Sequence, residues 1–174
     1  MIRSVIPLMI SVLFFMEPVF SLFSPITYAN TLLTLVPRFV IVCLIFISIY
    51  GSRKQAIIYG IIFGLLYDIF YIDIIGIYAF LYPLICLIAS GIIRYIHRHI
   101  VTVIGLTLLL IALLEIFSYG FASLISVTSI GFEEFFKGRL IPTMLANSLF
   151  VIMFSWFFKK IIEEKILHKS SDVM

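Results

Sequence analysis

Residues 55–68 read Gln55-Ala56-Ile57-Ile58-Tyr59-Gly60-Ile61-Ile62-Phe63-Gly64-Leu65-Leu66-Tyr67-Asp68, and this stretch decides the fold class. It is apolar almost without a break, so it lacks the alternation of a strand with one wet face. Ala56, Gly60, Gly64 and Asp68 recur every four residues, which places them on one face of a helix. A helix that is apolar all round is buried, either in a large core or in a bilayer. The first option fails on size. The chain has 174 residues, 63% of them hydrophobic and 12% charged, whereas soluble domains are about 45–50% apolar and about 25% charged. So short a chain cannot hide that much apolar surface from water. A water-soluble enzyme, a free nucleic-acid binder and a disordered chain are excluded together.

Five further stretches resemble the first. With it they run roughly 4–23, 35–51, 55–72, 75–95, 101–126 and 140–158, each near the length of about 20 residues that a bilayer core requires. The expected architecture is an all-α membrane protein, a six-transmembrane-helix bundle in one integral membrane domain, 1–174. None of the runs shows the period of two that a β-barrel needs. The first stretch carries Glu17 and lacks a clean small-x-small cleavage site, so it is expected to be a retained span. Cys43 and Cys86 lie inside apolar runs and read as small apolar fillers.

Orientation follows from Lys and Arg, which stay on the cytoplasmic side. With the N-terminus inside, nine of the 12 fall inside: Arg3, Arg53, Lys54, Arg94, Arg98, Lys159, Lys160, Lys165 and Lys169. Arg38, Lys137 and Arg139 fall outside. Both termini of this multi-pass protein are therefore expected in the cytoplasm. The segment 131–138, where Phe alternates with charge, is expected to lie along the outer interface.

Glu17, Arg38, Asp68 and Glu115 interrupt the apolar runs. A charge at mid-bilayer costs about 2.5–3.5 kcal/mol on insertion scales, so each needs a reason. Counted along their helices, all four lie about 20 Å from the inner face. They form a candidate outer-leaflet polar layer, which Arg139 and Asp73 are placed to join. Two readings are open: an ion-paired knot with Arg38 as its hub, or a ligand pocket or partner contact open to the outside. The ridge of Ala56, Gly60, Gly64 and Asp68 reads first as a packing surface for a neighbouring span, and is also a candidate surface for a partner's helix. His97 and His99 flank Arg98 with no Cys, Asp or Glu beside them, which is not a metal site. No nucleotide, zinc or triad motif is present in the sequence, so neither catalysis nor a cofactor is expected.

Several blocks carry a resemblance. Residues 35–39 read Leu35-Val36-Pro37-Arg38-Phe39, the ridge is followed by Gly76, and residues 139–143 read Arg139-Leu140-Ile141-Pro142-Thr143, continuing to Asn147. Their order along the chain resembles the rod shape-determining MreD family, close to its version in Gram-positive rods. The resemblance implies a non-enzymatic membrane scaffold of the rod complex, which elongates the lateral cell wall. It implies MreC as direct partner, and MreB, RodA and a class B penicillin-binding transpeptidase as indirect ones, with no nucleic acid. It also implies a fold like the substrate-binding subunits of energy-coupling-factor vitamin transporters. Many relatives carry Pro-Asp at the start of the second span. Arg38 stands there in this chain, so a role for that carboxylate does not carry over. The alternative function is a small-molecule (vitamin-type) binding subunit of a transporter. Trp156, the one Trp, lies near the inner end of the last span, the wrong side for an outward pocket.

Overall fold

A computed structural model describes residues 5–28, 31–72 and 74–171. Arg3 and Asp73, placed above on the inner side and beside the polar layer, lie outside the described residues. The chain is predominantly helical. Helix α1 spans Val5–Ser21, α2 Phe39–Tyr50, α3 Arg53–Tyr67, α4 Ile77–Ile92 and α5 Ile100–Leu124. A π-helical turn, Asp68–Ile72, extends α3. The last helix, α6, starts at Phe132–Phe135, passes a π-helical turn at Phe136–Leu140 and continues over Ile141–Ser171. Between α1 and α2 the strands β1 (Ile26–Tyr28) and β2 (Thr31–Leu33) pair antiparallel.

Three helical stretches, Arg53–Ile72, Ile100–Leu124 and Phe132–Glu164, are long and apolar enough to cross a membrane by length and composition. Val5–Ser21, Phe39–Tyr50 and Ile77–Ile92 are apolar but shorter. Large apolar side chains point outward along α1 (Leu8, Val12, Phe15) and α6 (Leu145, Leu149, Ile152). A soluble monomer rarely exposes such contiguous apolar surface, whereas acyl chains solvate it without cost.

Helix α2 is the axis of the bundle. All 12 of its residues are buried, and α1, α3, α4, α5 and α6 all pack against it. At about 1.5 Å per residue it is about 18 Å long, well short of a bilayer core of about 30 Å. It begins at Phe39, four residues later than the apolar run from 35. Pro37 is the reason, since the residue before a proline is pushed out of the helical region and proline offers no N–H. Residues 34–38 therefore enter as non-helical chain.

The ridge on α3 lies against α4. A Cβ added to Gly60 would sit 3.1 Å from Pro83 N, and one added to Gly64 would sit 2.9 Å from Ala79 Cα and collide with the Tyr78 carbonyl. Ala56 is likewise fully buried. This face is filled from within the chain and leaves no room for a partner's helix. The segment 131–138 also differs from an isolated interfacial stretch. Its Phe and Glu residues begin α6, so the last helix runs through it without a break.

Candidate functional site

One end of the bundle gathers the last turns of α1, α3 and α5 and the first turns of α2, α4 and α6. The four charges that interrupt the apolar runs, Glu17, Arg38, Asp68 and Glu115, meet there. Arg38 and Glu115 are both completely buried. Nε and Nη2 of Arg38 each lie 2.6 Å from Oε1 of Glu115. Nη2 also donates to the Tyr78 hydroxyl at 2.7 Å, and that hydroxyl pairs with Ser118 Oγ at 2.7 Å. The guanidinium carbon stands 4.9 Å from the ring centre of Tyr78 and 5.3 Å from that of Tyr67. The other carboxylate oxygen of Glu115 accepts from Arg139 Nε at 3.1 Å. Arg139 is 39% exposed, so Glu115 links a sealed cation to a half-open one.

The remaining two carboxylates act differently from the expected hub-and-spoke arrangement. Neither forms an ion pair among the described residues. Each caps the start of a helix other than its own. Glu17 Oε1, from α1, accepts the Val40 N–H of α2 at 2.8 Å. Asp68, at the end of α3, accepts the N–H groups of Gly76 (2.9 Å), Tyr78 (2.8 Å) and Ala79 (3.0 Å) at the start of α4. The physical reason is the solvent. The first N–H groups of a helix have no partner within it. Lipid supplies none, and each bare group costs several kcal/mol there. A carboxylate at a helix N-terminus answers both the hydrogen bonds and the helix dipole.

The same need explains Thr143 and Asn147. Non-helical backbone at membrane depth is tolerated only where protein satisfies it. Asn147 Oδ1 accepts the Arg38 N–H at 2.8 Å, and its Nδ2 donates to Val36 O at 2.9 Å and to Thr143 O at 2.8 Å. Thr143 Oγ1 accepts the Val36 N–H at 3.1 Å. Prolines set two further bonds. Pro142 cannot donate to Gly138 O, four residues back, and Thr34 N–H donates there instead at 2.7 Å. Pro18 likewise frees Phe14 O, which receives the Tyr71 hydroxyl at 3.2 Å.

The structure thus brings Glu17, Arg38, Asp68, Glu115 and Arg139 to one end of the bundle. Residue patterns did not single out Tyr78 or Ser118, and Thr143 and Asn147 entered only through the block that carries the resemblance. A signal for Thr143 and Asn147 exists, since a threonine and an asparagine four apart on an apolar helix share one face. At the opposite end stand Arg98 and Lys159. Tyr50, the last residue of α2, donates to Arg98 O at 3.5 Å, and Lys159 Nζ lies 5.5 Å from its ring. His97 and His99 are exposed beside Arg98.

A family model described as rod shape-determining protein MreD matches residues 2–164. The Rod shape-determining protein MreD of Bacillus subtilis (strain 168) is 33% identical over 166 residues, covering 93% of this chain and 96% of that protein. The Cell shape-determining protein MreD of Streptococcus pneumoniae R6 is 28% identical over 126 residues, covering 72% and 77%. No solved structure matches. A match over nearly the whole chain, together with a relative this similar along its full length, shows that the chain belongs to the MreD family of rod shape-determining proteins.

Proposed function

We propose that this protein is a non-enzymatic membrane scaffold of the machinery that elongates the cell wall. It binds an MreC-type single-span partner, and through it helps position peptidoglycan synthases relative to MreB. Family membership supports a role in rod shape. The observation that carries the scaffold reading is where the charges go. Glu115, Asp68 and Asn147 bond to the chain's own backbone and side chains, tying five of the six helices into one body around α2. Such bonding suits a rigid platform rather than a reacting centre.

We further place both termini in the cytoplasm. The Arg98 and Lys159 end is the basic one, which suits the inner face, so the Arg38 knot faces outward. The α3 ridge is spent on α4, which leaves the outward apolar faces of α1 and α6 for lipid or for the partner's span. The test is depletion in a rod-shaped host, with affinity purification of the tagged chain. Rounded cells and recovery of the MreC-type protein are expected. Rods of normal shape with a vitamin-uptake defect would overturn the scaffold in favour of a transporter subunit.

A further inference from the structure

Beside the knot, between α1 and the end of α3, lies a cavity of about 670 Å³. Glu17, Arg38, Tyr67, Tyr71, Tyr78 and Arg139 are among the residues that line it. Two of these lining residues each carry a buried polar atom without a partner among the described residues, Nη1 of Arg38 and Oε2 of Glu17. Behind this lining, the hydroxyl of Tyr82, whose ring packs against Tyr67 and Tyr78, also has no partner among the described residues. The guanidinium is otherwise fully engaged, since Nε and Nη2 are held by Glu115 and Tyr78. Glu17 is likewise engaged on one side only, where Oε1 caps Val40.

A bare buried donor or acceptor costs about 1–3 kcal/mol, and more when it is charged. Here a cationic donor and a carboxylate oxygen are both left over on residues that line one cavity. A water molecule takes about 30 Å³ in the liquid, and small-molecule sites run about 300–1,000 Å³. The cavity therefore has room for an organic ligand.

We propose that this cavity binds a zwitterion. Nη1 of Arg38 takes its oxyanion and Oε2 of Glu17 takes its primary ammonium. A ligand without net charge suits a site whose two cations, Arg38 and Arg139, are matched by two carboxylates, Glu115 and Glu17. Two sources carry this chemistry, a free amino acid and the headgroup of phosphatidylethanolamine. The site is independent of the scaffold reading and stands or falls on binding alone.

The experiment uses the full chain in phosphatidylglycerol nanodiscs, with the thermal unfolding midpoint as readout. Glycine or alanine is added in one arm, phosphatidylethanolamine is mixed into the disc in a second, and inorganic phosphate is added in a third. A rise in the first arm identifies a free amino acid as the source, and a rise in the second identifies the headgroup. Glu17→Gln keeps the acceptor for Val40 and removes the carboxylate. It is expected to weaken the response by about tenfold or more, the usual worth of a hydrogen bond to a charged group. Arg38→Lys, which lacks Nη1, is expected to do the same. If that variant does not fold, Glu17→Gln decides. The proposal is overturned if phosphate alone shifts the midpoint as far as the zwitterions, if no arm shifts it, or if the shift survives in Glu17→Gln.

Discussion

Glu115 holds two guanidinium groups on one carboxylate, and the two bonds differ in kind. The Arg38 side is sealed, with both partners at zero exposure. The Arg139 side is open to its surroundings. Removing one member of a buried pair leaves an uncompensated charge and costs about 3–5 kcal/mol, whereas exposed pairs are worth about 1 kcal/mol or less. Glu115→Ala is therefore expected to lower the unfolding midpoint sharply in detergent, and Arg139→Ala only slightly. Equal losses would show that the two bonds are not distinguished by burial. The exposed Glu133–Lys137 pair, 2.6 Å apart, sets the lower reference, and Glu133→Ala is expected to leave the unfolding midpoint unchanged within error. At this scale the charged residues are legible from sequence because a charge in an apolar run is exceptional. Their division of labour is not. Glu17 and Asp68 serve helix starts that only the folded chain brings beside them, and Tyr78, in an apolar run, reads as core until Arg38 is placed against its hydroxyl.

The non-helical entry to α2, set by Pro37, is held in place by two distant groups. This segment bonds to Thr143 and Asn147, and the Arg38–Asn147 bond spans 109 positions. No local pattern announces such a clamp, which is why the apolar run from 35 reads as one longer helix. Asn147→Leu fills similar space but strips partners from Arg38 N–H, Val36 O and Thr143 O. At about 1–3 kcal/mol for each bare buried group, the expected loss is at least about 2 kcal/mol, measured by denaturant or thermal unfolding. A change within error would mean that water reaches the segment. The α3–α4 pair is the opposite case, since its period of four is visible in the residues alone. What sequence leaves open is which helix takes the ridge. Gly64 faces backbone closer than Gly60 does, and backbone cannot swing aside. Gly64→Ala is expected to destabilise by about 1–3 kcal/mol, the usual cost of overpacking, and Gly60→Ala by less. The reverse order would show that α4 is not seated as described. In bulkier replacements at Gly64, loss of a co-purified partner would report on this packing rather than on docking.

The whole molecule is organised as a sheath around one short helix, and its two thiols give a handle on that sheath. Cys43, on α2, and Cys86, on α4, are both fully buried. Maleimide is expected to label neither in the folded protein and both after denaturation in sodium dodecyl sulfate. Labelling of the folded protein would show that α2 is not enclosed. With these thiols silent, a single cysteine placed at Leu22 or at Tyr95, both strongly exposed, reports which end of the bundle faces outward. The lipid-embedded class was legible from composition, because no soluble core of this size absorbs so much apolar surface. The continuous α6 was not, because the charges of 131–139 resemble a loop until their backbone is seen to join the helix. The grip of Asn147 on Arg38 also bears on how the polypeptide is made. The ribosome delivers the entry to α2 long before it delivers residue 147, so the newborn N-terminal half waits in the membrane with its peptide groups bare. Final assembly is therefore tied to the end of translation, and a nascent chain released before Asn147 is expected to be cleared by membrane proteases rather than to accumulate.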